Sequence, residues 1–170
     1  MILKMNMRNP KNSKILLVDD DKHLLESMGA WLADQGFQVS LAADGESARQ
    51  RLNETTFDLA LFDVRIGHDD GFELLAECKK HHPNVVVVLM TGYATVDTGI
   101  EAIRAGAFDL VTKPLIDDEI LICFDRALSQ QKVIEENEQL KTQLDKRFGR
   151  HSIIGNDHRM QKTFDMVDNI

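Results

Sequence analysis

A short apolar run followed by a helical segment occurs five times in succession, and this alternation constrains the fold more than any other feature. The five runs are residues 14–18, 37–42, 57–63, 85–90 and 108–111. Strands that alternate with helices through short connections are typical of parallel sheets, with right-handed crossovers and helices on both faces. We therefore predict an α/β fold with a doubly wound five-stranded parallel sheet, and the flavodoxin-like strand order 2-1-3-4-5 fits this count.

Polar side chains stand at the ends of four predicted strands. Asp19 and Asp20 follow the first run, Asp63 ends the third, Thr91 follows the fourth, and Lys113 lies just after the fifth. Taken singly, each is explained as a turn residue, a helix cap or a surface residue. The carboxyl ends of parallel strands meet at one edge of the sheet, where open α/β folds bind their ligands. The joint occurrence therefore predicts a functional site at this edge.

These residue types suit phosphoryl chemistry around a metal ion. One of the acids in Asp19-Asp20-Asp21 is explained as the cap of the next helix, but the remaining carboxylates repel each other unless a cation lies among them. Carboxylate oxygens are the ligands that Mg²⁺ prefers. Lys113 and Thr91 are suited to bind phosphoryl oxygens, and Asp63 is suited to act as a nucleophile that forms an aspartyl phosphate.

Residues 14–129 resemble the receiver domain of two-component response regulators. Five motifs in order carry the resemblance: Ile15-Leu16-Leu17-Val18-Asp19-Asp20, Asp63 after its strand, Asp70-Gly71, Met90-Thr91-Gly92 and Lys113-Pro114. The resemblance implies that a histidine kinase donates a phosphoryl group to Asp63 and that the domain is a signalling switch, not a turnover enzyme.

The resemblance also implies a role for each residue of the site. The expected Mg²⁺ ligands are Asp20, Asp63, the main-chain carbonyl of Arg65 and, through water, Asp19. Thr91 and Lys113 are expected to bind the phosphoryl oxygens, and the Lys113–Pro114 peptide bond is expected to be cis. Phosphorylation would then bias the face formed by the fourth helix, the fifth strand and the fifth helix, through which two copies would pair.

The sequence departs from the receiver pattern at two places. Ile66-Gly67 stands where the family often has Met-Pro, so the loop after Asp63 is expected to be more pliable. Leu110 stands where the family usually has Tyr or Phe, which puts the usual coupling between the Thr hydroxyl and an aromatic ring in doubt. Phe108 is no substitute for that ring, although strand alternation predicts it on the same face as Leu110.

The last helix is predicted to continue well beyond the sheet. Residues 118–148 contain no Gly and no Pro. The first part carries Ile120, Phe124 and Leu128, which we expect to pack on the sheet. In the linker 130–149 an a/d pattern of Val133, Asn137, Leu140 and Leu144 favours a parallel two-stranded coiled coil. A single solvated helix is the alternative, because two heptads are marginal.

Residues 150–170 resemble the opening of the central ATPase domain of sigma-54-dependent activators. Ile153-Ile154-Gly155-Asn156 and Met160-Gln161 carry this resemblance. It implies that the full-length protein contacts sigma-54 RNA polymerase and DNA through domains absent from this chain. The phosphate-loop pattern is absent from the 170 residues, so we do not expect this piece to hydrolyse ATP. Residues 1–13 are interpreted as an N-terminal extension.

Composition excludes several other classes of function. The net charge of −8 argues against broad nucleic-acid binding, which needs a cationic surface. No apolar stretch approaches the roughly 20 residues of a membrane span, and the first 13 residues lack the apolar region of a signal peptide, so a cytoplasmic location is expected. Cys78 and Cys123 belong to no metal-binding or redox spacing and are interpreted as reduced core thiols.

Two rival functions remain open at this point. The first is a Mg²⁺-dependent phosphohydrolase with an aspartyl nucleophile. Such enzymes commonly need a second acid two residues after the nucleophile, where this chain has Arg65. The second is a flavodoxin-like cofactor binder, whose phosphate loop would be rich in Ser, Thr and Gly. Here Asp19-Asp20-Asp21 would repel a phosphate.

Overall fold

The computed structural model describes residues 12–155, without the side chains of residues 134 and 145–155. In chain order the elements are β1 (Lys14–Val18), α1 (Lys22–Asp34), β2 (Gln38–Ala42), α2 (Gly45–Glu54), β3 (Leu59–Asp63), β4 (Arg65–Ile66), β5 (Asp69–Asp70), α3 (Gly71–His81), β6 (Val86–Thr91), α4 (Val96–Arg104), β7 (Asp109–Thr112) and α5 (Asp117–Gly155). Nearly all of the predicted 1–13 extension and most of residues 150–170 lie outside the described residues.

Five strands form one parallel sheet in the order β2-β1-β3-β6-β7. Counted among the sheet strands alone, this is the predicted order 2-1-3-4-5, so the doubly wound fold is confirmed. Strands β3 and β6 are buried at every position, as expected for central strands covered by helices on both faces.

Each face of the sheet carries its own hydrophobic core. On one face α1 and α5 pack through side chains that include Leu32 and Phe124. On the other face α2, α3 and α4 pack through side chains that include Leu52, Leu75 and Ala102. Phe124 is fully buried, and burying a side chain of this size contributes about 1.5–3 kcal/mol. The two layers hold the strand ends at fixed positions.

One prediction about the fifth strand of the sheet was wrong. Phe108 packs against the core cluster of α1 and α5, whereas Leu110 packs against the cluster on the opposite face. The strand begins only at Asp109, and the alternation of faces holds only within a strand. Phe108 precedes the strand, so its even offset from Leu110 does not place the two side chains together.

Helix α5 extends past its predicted end near residue 148, to Gly155. A single Gly in a helix interior costs only about 1 kcal/mol relative to Ala, so Gly149 does not have to end the helix. The chain divides into two compact units between Gln131 and Lys132. In the first unit Ile120 and Phe124 are buried and Leu128 is packed on the same core, as predicted.

In the second unit Val133, Leu140 and Leu144 are each more than half exposed. These apolar side chains at a/d spacing are therefore available for contact with another helix. Among the described residues, no helix is both long enough and apolar enough to cross a membrane.

Candidate functional site

Four strands of the sheet bring the predicted site residues to one edge. Asp63 is the last residue of β3 and Thr91 is the last residue of β6, the neighbouring strand. Asp19 directly follows β1, and Lys113 directly follows β7. Asp19, Asp63 and Thr91 are buried. The fold therefore collects these polar groups at the carboxyl edge, where the sequence predicts a site.

Lys113 joins two of the acids. Its Nζ donates a hydrogen bond to Asp19 Oδ2 at 2.6 Å and another to Asp63 Oδ2 at 3.0 Å. Its main-chain N–H donates to the carbonyl of Thr91 at 2.7 Å, and the Lys113–Pro114 peptide bond is cis, as expected. Charge-assisted contacts of this length are among the stronger hydrogen bonds in proteins. The ammonium is thus held against carboxylates from two different strands.

Burial and charge act on this cluster in opposite directions. Burial raises the pKa of Asp19, and the nearby charge of Asp63 adds to this, although the hydrogen bond from Lys113 lowers it. Burial by itself lowers the pKa of Lys113, but its hydrogen bonds to Asp19 and Asp63 outweigh burial and leave that pKa raised. The lysine is therefore held in its charged form at neutral pH.

Three carboxylates meet in a geometry that suits a metal ion. One oxygen each from Asp19, Asp20 and Asp63 lies within 4.8 Å of the others. Asp20 is exposed, so the cluster opens to solvent. Three carboxylates and the single ammonium of Lys113 leave an excess of two negative charges. A hard divalent cation such as Mg²⁺ fits both this excess charge and the oxygen donors.

The third acid of the sequence run has a different task. Asp21 is the N-cap of α1, and its Oδ1 accepts hydrogen bonds from the N–H groups of His23 and Leu24. The capping explanation thus holds for Asp21 and leaves Asp19 and Asp20 to the cluster. Arg65, the predicted carbonyl ligand, donates its main-chain N–H to Asp63 Oδ1 at 3.3 Å, so its backbone lies beside the central carboxylate.

The hydroxyl of Thr91 is engaged by its own loop. It accepts a hydrogen bond from the N–H of Tyr93 at 3.2 Å and lies 3.3 Å from the carbonyl oxygen of the same residue. Thr91 therefore ends the strand next to Asp63, but its hydroxyl is bonded to the following turn. To donate to a group on Asp63, the hydroxyl would have to give up its contact with the carbonyl oxygen of Tyr93.

Sequence reasoning missed a hairpin directly after Asp63. Strands β4 and β5 pair in antiparallel fashion, with Arg65 opposite Asp70 and Ile66 opposite Asp69. Gly67 lies in the turn at a φ of 60°, a conformation that favours glycine. Two-residue strands are too short to give an alternation pattern. The only sequence signal is the Gly in the turn.

Gly71 closes the loop that carries this hairpin. Its N–H donates to the carbonyl of Val64 at 2.8 Å. A Cβ at residue 71 would lie 2.1 Å from the carbonyl oxygen of Asp63, which is well inside contact distance. Only glycine fits there, so Gly71 lets the start of α3 pack directly on the main chain of the central aspartate.

A family model and a curated relative match this chain. The response regulator receiver domain family matches residues 15–124. Among curated proteins, the transcriptional regulatory protein ZraR of Klebsiella oxytoca is 39% identical over 121 residues, which are 71% of this chain and 27% of that protein. The chain thus spans little more than a quarter of that relative.

Solved structures show the same fold. A CheY-like response regulator receiver domain protein from Methanospirillum hungatei superimposes with a TM-score of 0.68 at 30% identity, covering 72% of this chain and 98% of that one. The beryllofluoride-activated NtrC4 receiver domain dimer gives a TM-score of 0.66 at 28% identity, covering 69% of this chain and 98% of that one.

Proposed function

Because the chain belongs to the response regulator receiver domain family, we propose that it accepts a phosphoryl group from a histidine kinase on Asp63. The single observation that carries the proposal is the ammonium of Lys113, which lies within 3.0 Å of carboxylates from two strands. A carboxylate in that position can attack phosphorus while the ammonium stabilises negative charge on the phosphoryl oxygens. Kinase and receiver would meet in the cytoplasm.

The proposed transfer balances as a displacement at phosphorus. A carboxylate oxygen of Asp63 forms a bond to phosphorus while the bond from phosphorus to the kinase imidazole nitrogen breaks. The imidazole leaves with the electron pair of that bond, and the product is an acyl phosphate on Asp63. Lys113 is placed to bind one phosphoryl oxygen, and Thr91 binds a second after its hydroxyl leaves Tyr93.

Mg²⁺ is the proposed cofactor of this transfer, and when bound it supplies positive charge that offsets the charge of the phosphoryl group. The donor set supports this choice, since the cluster of Asp19, Asp20 and Asp63 offers only carboxylate oxygens. Asp20 and Asp63 are proposed as direct ligands, together with the main-chain carbonyl of Arg65, and Asp19 is proposed to act through water.

The face formed by α4, β7 and α5 is the proposed output surface. Ile100 and Ile103 on α4 and Ile116 just before α5 are all partly or largely exposed. A groove beside them is lined by α4 and by Leu110. Since Leu110 has no ring, we propose that Thr91 couples to this surface through the turn at Tyr93 and not through an aromatic rotamer.

We propose that two copies pair through this face and through the linker helix. The exposed Val133, Leu140 and Leu144 support pairing of the linkers, and Asn137 at an a position favours a parallel two-stranded register. The solved NtrC4 receiver is a dimer in its beryllofluoride-activated form. Pairing would control an attached sigma-54-dependent activation module, which would contact sigma-54 RNA polymerase and DNA. No feature of the site favours a phosphohydrolase.

Phosphorylation of the purified chain by acetyl phosphate tests the proposal. With Mg²⁺ we expect one phosphoryl group per chain, detected by mass spectrometry or by mobility in a phosphate-binding gel. The variant Asp63→Asn is expected to take none. Label that persists in Asp63→Asn at the wild-type level, or steady release of phosphate from a phosphomonoester, would overturn the assignment.

Light scattering with and without beryllofluoride and Mg²⁺ tests the output. We expect the mean mass to change between one and two chains on addition of the mimic in the wild type and not in Asp63→Asn. The matched variant Val133→Ser/Leu140→Ser is expected to reduce the dimer whether or not the mimic is present. An unchanged mass in every case would remove the dimer from the proposal.

A further inference from the structure

The side chain of Asp69 connects the hairpin that follows Asp63 to helix α2, and Asp69 has no role in the proposed function. Asp69, on β5, accepts a hydrogen bond at Oδ2 from the main-chain N–H of Gly45 at 2.9 Å. Gly45 is the first residue of α2. Among the hydrogen bonds of the described residues, this one joins the hairpin to that helix, so it fixes the hairpin against a neighbouring layer of the fold.

The contact between Asp69 and Gly45 depends on both residues. Gly45 is buried, and a Cβ at that position would lie 2.8 Å from Asp69 Cγ and 2.9 Å from Asp69 Oδ2. The absence of a side chain at residue 45 therefore lets the carboxylate approach the helix N-terminus, where a negative charge is favourable. A Cβ there would also lie 3.1 Å from a guanidinium nitrogen of Arg49, so this cation lies close to the same carboxylate.

Arg49 is itself held in place. Its Nε and one terminal nitrogen donate to the two carboxylate oxygens of Glu77 on α3, at 2.5 and 3.2 Å. The charge of Asp69 is among the nearby charges that raise the pKa of Arg49, after the larger effect of the Glu77 hydrogen bond. The carboxylate of Asp69 thus lies between a helix N-terminus and a fixed cation, which restricts where the hairpin can lie.

The position of the hairpin affects the site because its other strand, β4, contains Arg65. Arg65 begins β4 and is paired with Asp70, the residue after Asp69. The N–H of Arg65 donates to Asp63 Oδ1, and Gly67 stands in the turn where a Pro would restrict φ. A polar contact at Asp69 therefore supplies a restraint that the turn residue does not supply.

We propose that Asp69 is a positioning residue, whose carboxylate holds the hairpin against α2 and so fixes the main chain of Arg65 beside Asp63. This inference rests on the proposed function, because its consequence is faster phosphorylation and tighter Mg²⁺ binding. Asp69 is not one of the carboxylates of the proposed metal cluster. It acts through the backbone of residues 64–66.

Four variants separate positioning from plain stability. Asp69→Ala removes the contact, whereas Asp69→Asn keeps an oxygen that accepts from Gly45. Gly45→Ala keeps Asp69 but displaces its carboxylate. Asp44→Ala is the matched control, because Asp44 caps the same end of α2 through Ser47, whereas the hydrogen bonds of the described residues include none between Asp44 and the hairpin. Loss of that cap is expected to lower Tm by about 4 °C.

Three measurements are made on each variant. Hydrogen exchange of the amides of residues 64–70 reports the restraint without any ligand, calorimetry reports Mg²⁺ affinity, and acetyl phosphate reports the phosphorylation rate. Asp69→Ala and Gly45→Ala are expected to speed exchange and to weaken both Mg²⁺ binding and phosphorylation by about fivefold, the worth of one hydrogen bond. Asp69→Asn keeps the acceptor oxygen but loses the charge, so its effects are expected to lie between those of wild type and Asp69→Ala. Asp44→Ala is expected to stay within about twofold of wild type, on the same scale.

The outcomes distinguish this inference from the proposed function. If Asp69→Ala and Asp44→Ala lost Mg²⁺ affinity and phosphorylation rate to the same extent, Asp69 would only stabilise α2. Unchanged amide exchange or unchanged Mg²⁺ affinity in Asp69→Ala would also overturn the positioning role. A wild type that binds Mg²⁺ but takes no phosphoryl group would overturn the proposed function. In that case exchange and Mg²⁺ affinity still decide whether Asp69 positions the hairpin.

Discussion

The two edges of one sheet use aspartate in opposite ways. At the carboxyl edge Asp19 and Asp63 share the ammonium of Lys113. At the amino edge Asp58 accepts the main-chain N–H of Lys14 at 2.8 Å and an N–H of Gln131 at 3.4 Å, one on each carboxylate oxygen. Asp58 immediately precedes β3 and Asp63 ends it. The two carboxylates therefore flank one strand, yet the charges around them differ.

The difference lies in how the negative charge is balanced. Asp58 is a single carboxylate whose oxygens accept neutral N–H groups, an arrangement that stabilises structure. At the carboxyl edge three carboxylates face one ammonium, so a net negative charge remains for a bound cation to balance. An aspartate next to a strand is therefore structural where each of its oxygens has a neutral donor, and the proposed phosphoacceptor is the one that lies in a cluster with excess negative charge.

The largest expected effect compares the two aspartates directly. Asp63→Asn removes the proposed nucleophile, and we expect no phosphorylation by acetyl phosphate. Asp58→Asn keeps the shape, but its amide NH₂ faces one of the two donors, so we expect a loss of about 1 kcal/mol in unfolding free energy. Phosphorylation should remain within about twofold of wild type, since Asp58 lies at the opposite edge.

Urea unfolding and phosphorylation assays on both variants check this contrast. A phosphorylation rate in Asp58→Asn that falls as far as in Asp63→Asn, with the protein still folded, would break the division between a structural edge and a reactive edge. If Asp58→Asn were as stable as wild type, the contacts of Asp58 at the amino edge would contribute little to the unfolding free energy.

Much of this division was predictable from the sequence. Five apolar runs with polar residues after them were enough to predict the sheet order and the meeting of Asp63, Asp19 and Lys113, because parallel strands share one carboxyl edge. The periodicity of apolar residues along the sequence predicts only helices and strands of regular length. It could not predict the hairpin at Asp69, whose strands have two residues each, or the contact from Gln131, which depends on where a long helix meets the loops at Asp58 and Asn84.

Mg²⁺ is expected to stabilise the folded protein through the carboxyl edge alone. At a concentration 100 times its Kd, a ligand that binds only the folded state adds about 2.7 kcal/mol to the unfolding free energy. Asp20→Asn removes an exposed carboxylate of the cluster, so we expect this increment to shrink by at least half at the same Mg²⁺ concentration. Thermal unfolding with and without Mg²⁺ measures it.

The neighbouring acid provides the control for this experiment. Asp21 caps α1, and Asn is as good a cap as Asp, so Asp21→Asn should keep the full Mg²⁺ increment. Equal losses in Asp20→Asn and Asp21→Asn would show that Mg²⁺ responds to the general negative charge of this run and not to a defined site at the strand ends.

The smallest expected effect concerns the amino edge. The side chain of Gln131 is buried, and its Nε2 lies 3.4 Å from Asp58 Oδ1 and 3.2 Å from the carbonyl oxygen of Asn84. Gln131→Ala leaves both acceptors without this donor. We therefore expect the unfolding free energy to fall by about 1 kcal/mol and Tm to fall by about 4 °C.

Gln130→Ala, at the exposed neighbouring position, should change Tm by less than about 1 °C, because surface substitutions away from such contacts have small effects. The Mg²⁺ increment should be the same in both variants and in wild type, since neither residue lies at the carboxyl edge. A Gln131→Ala protein that lost its Mg²⁺ increment would mean that the two edges are energetically coupled through β3. The separation between structural and reactive aspartates would then hold for their contacts but not for their energetics.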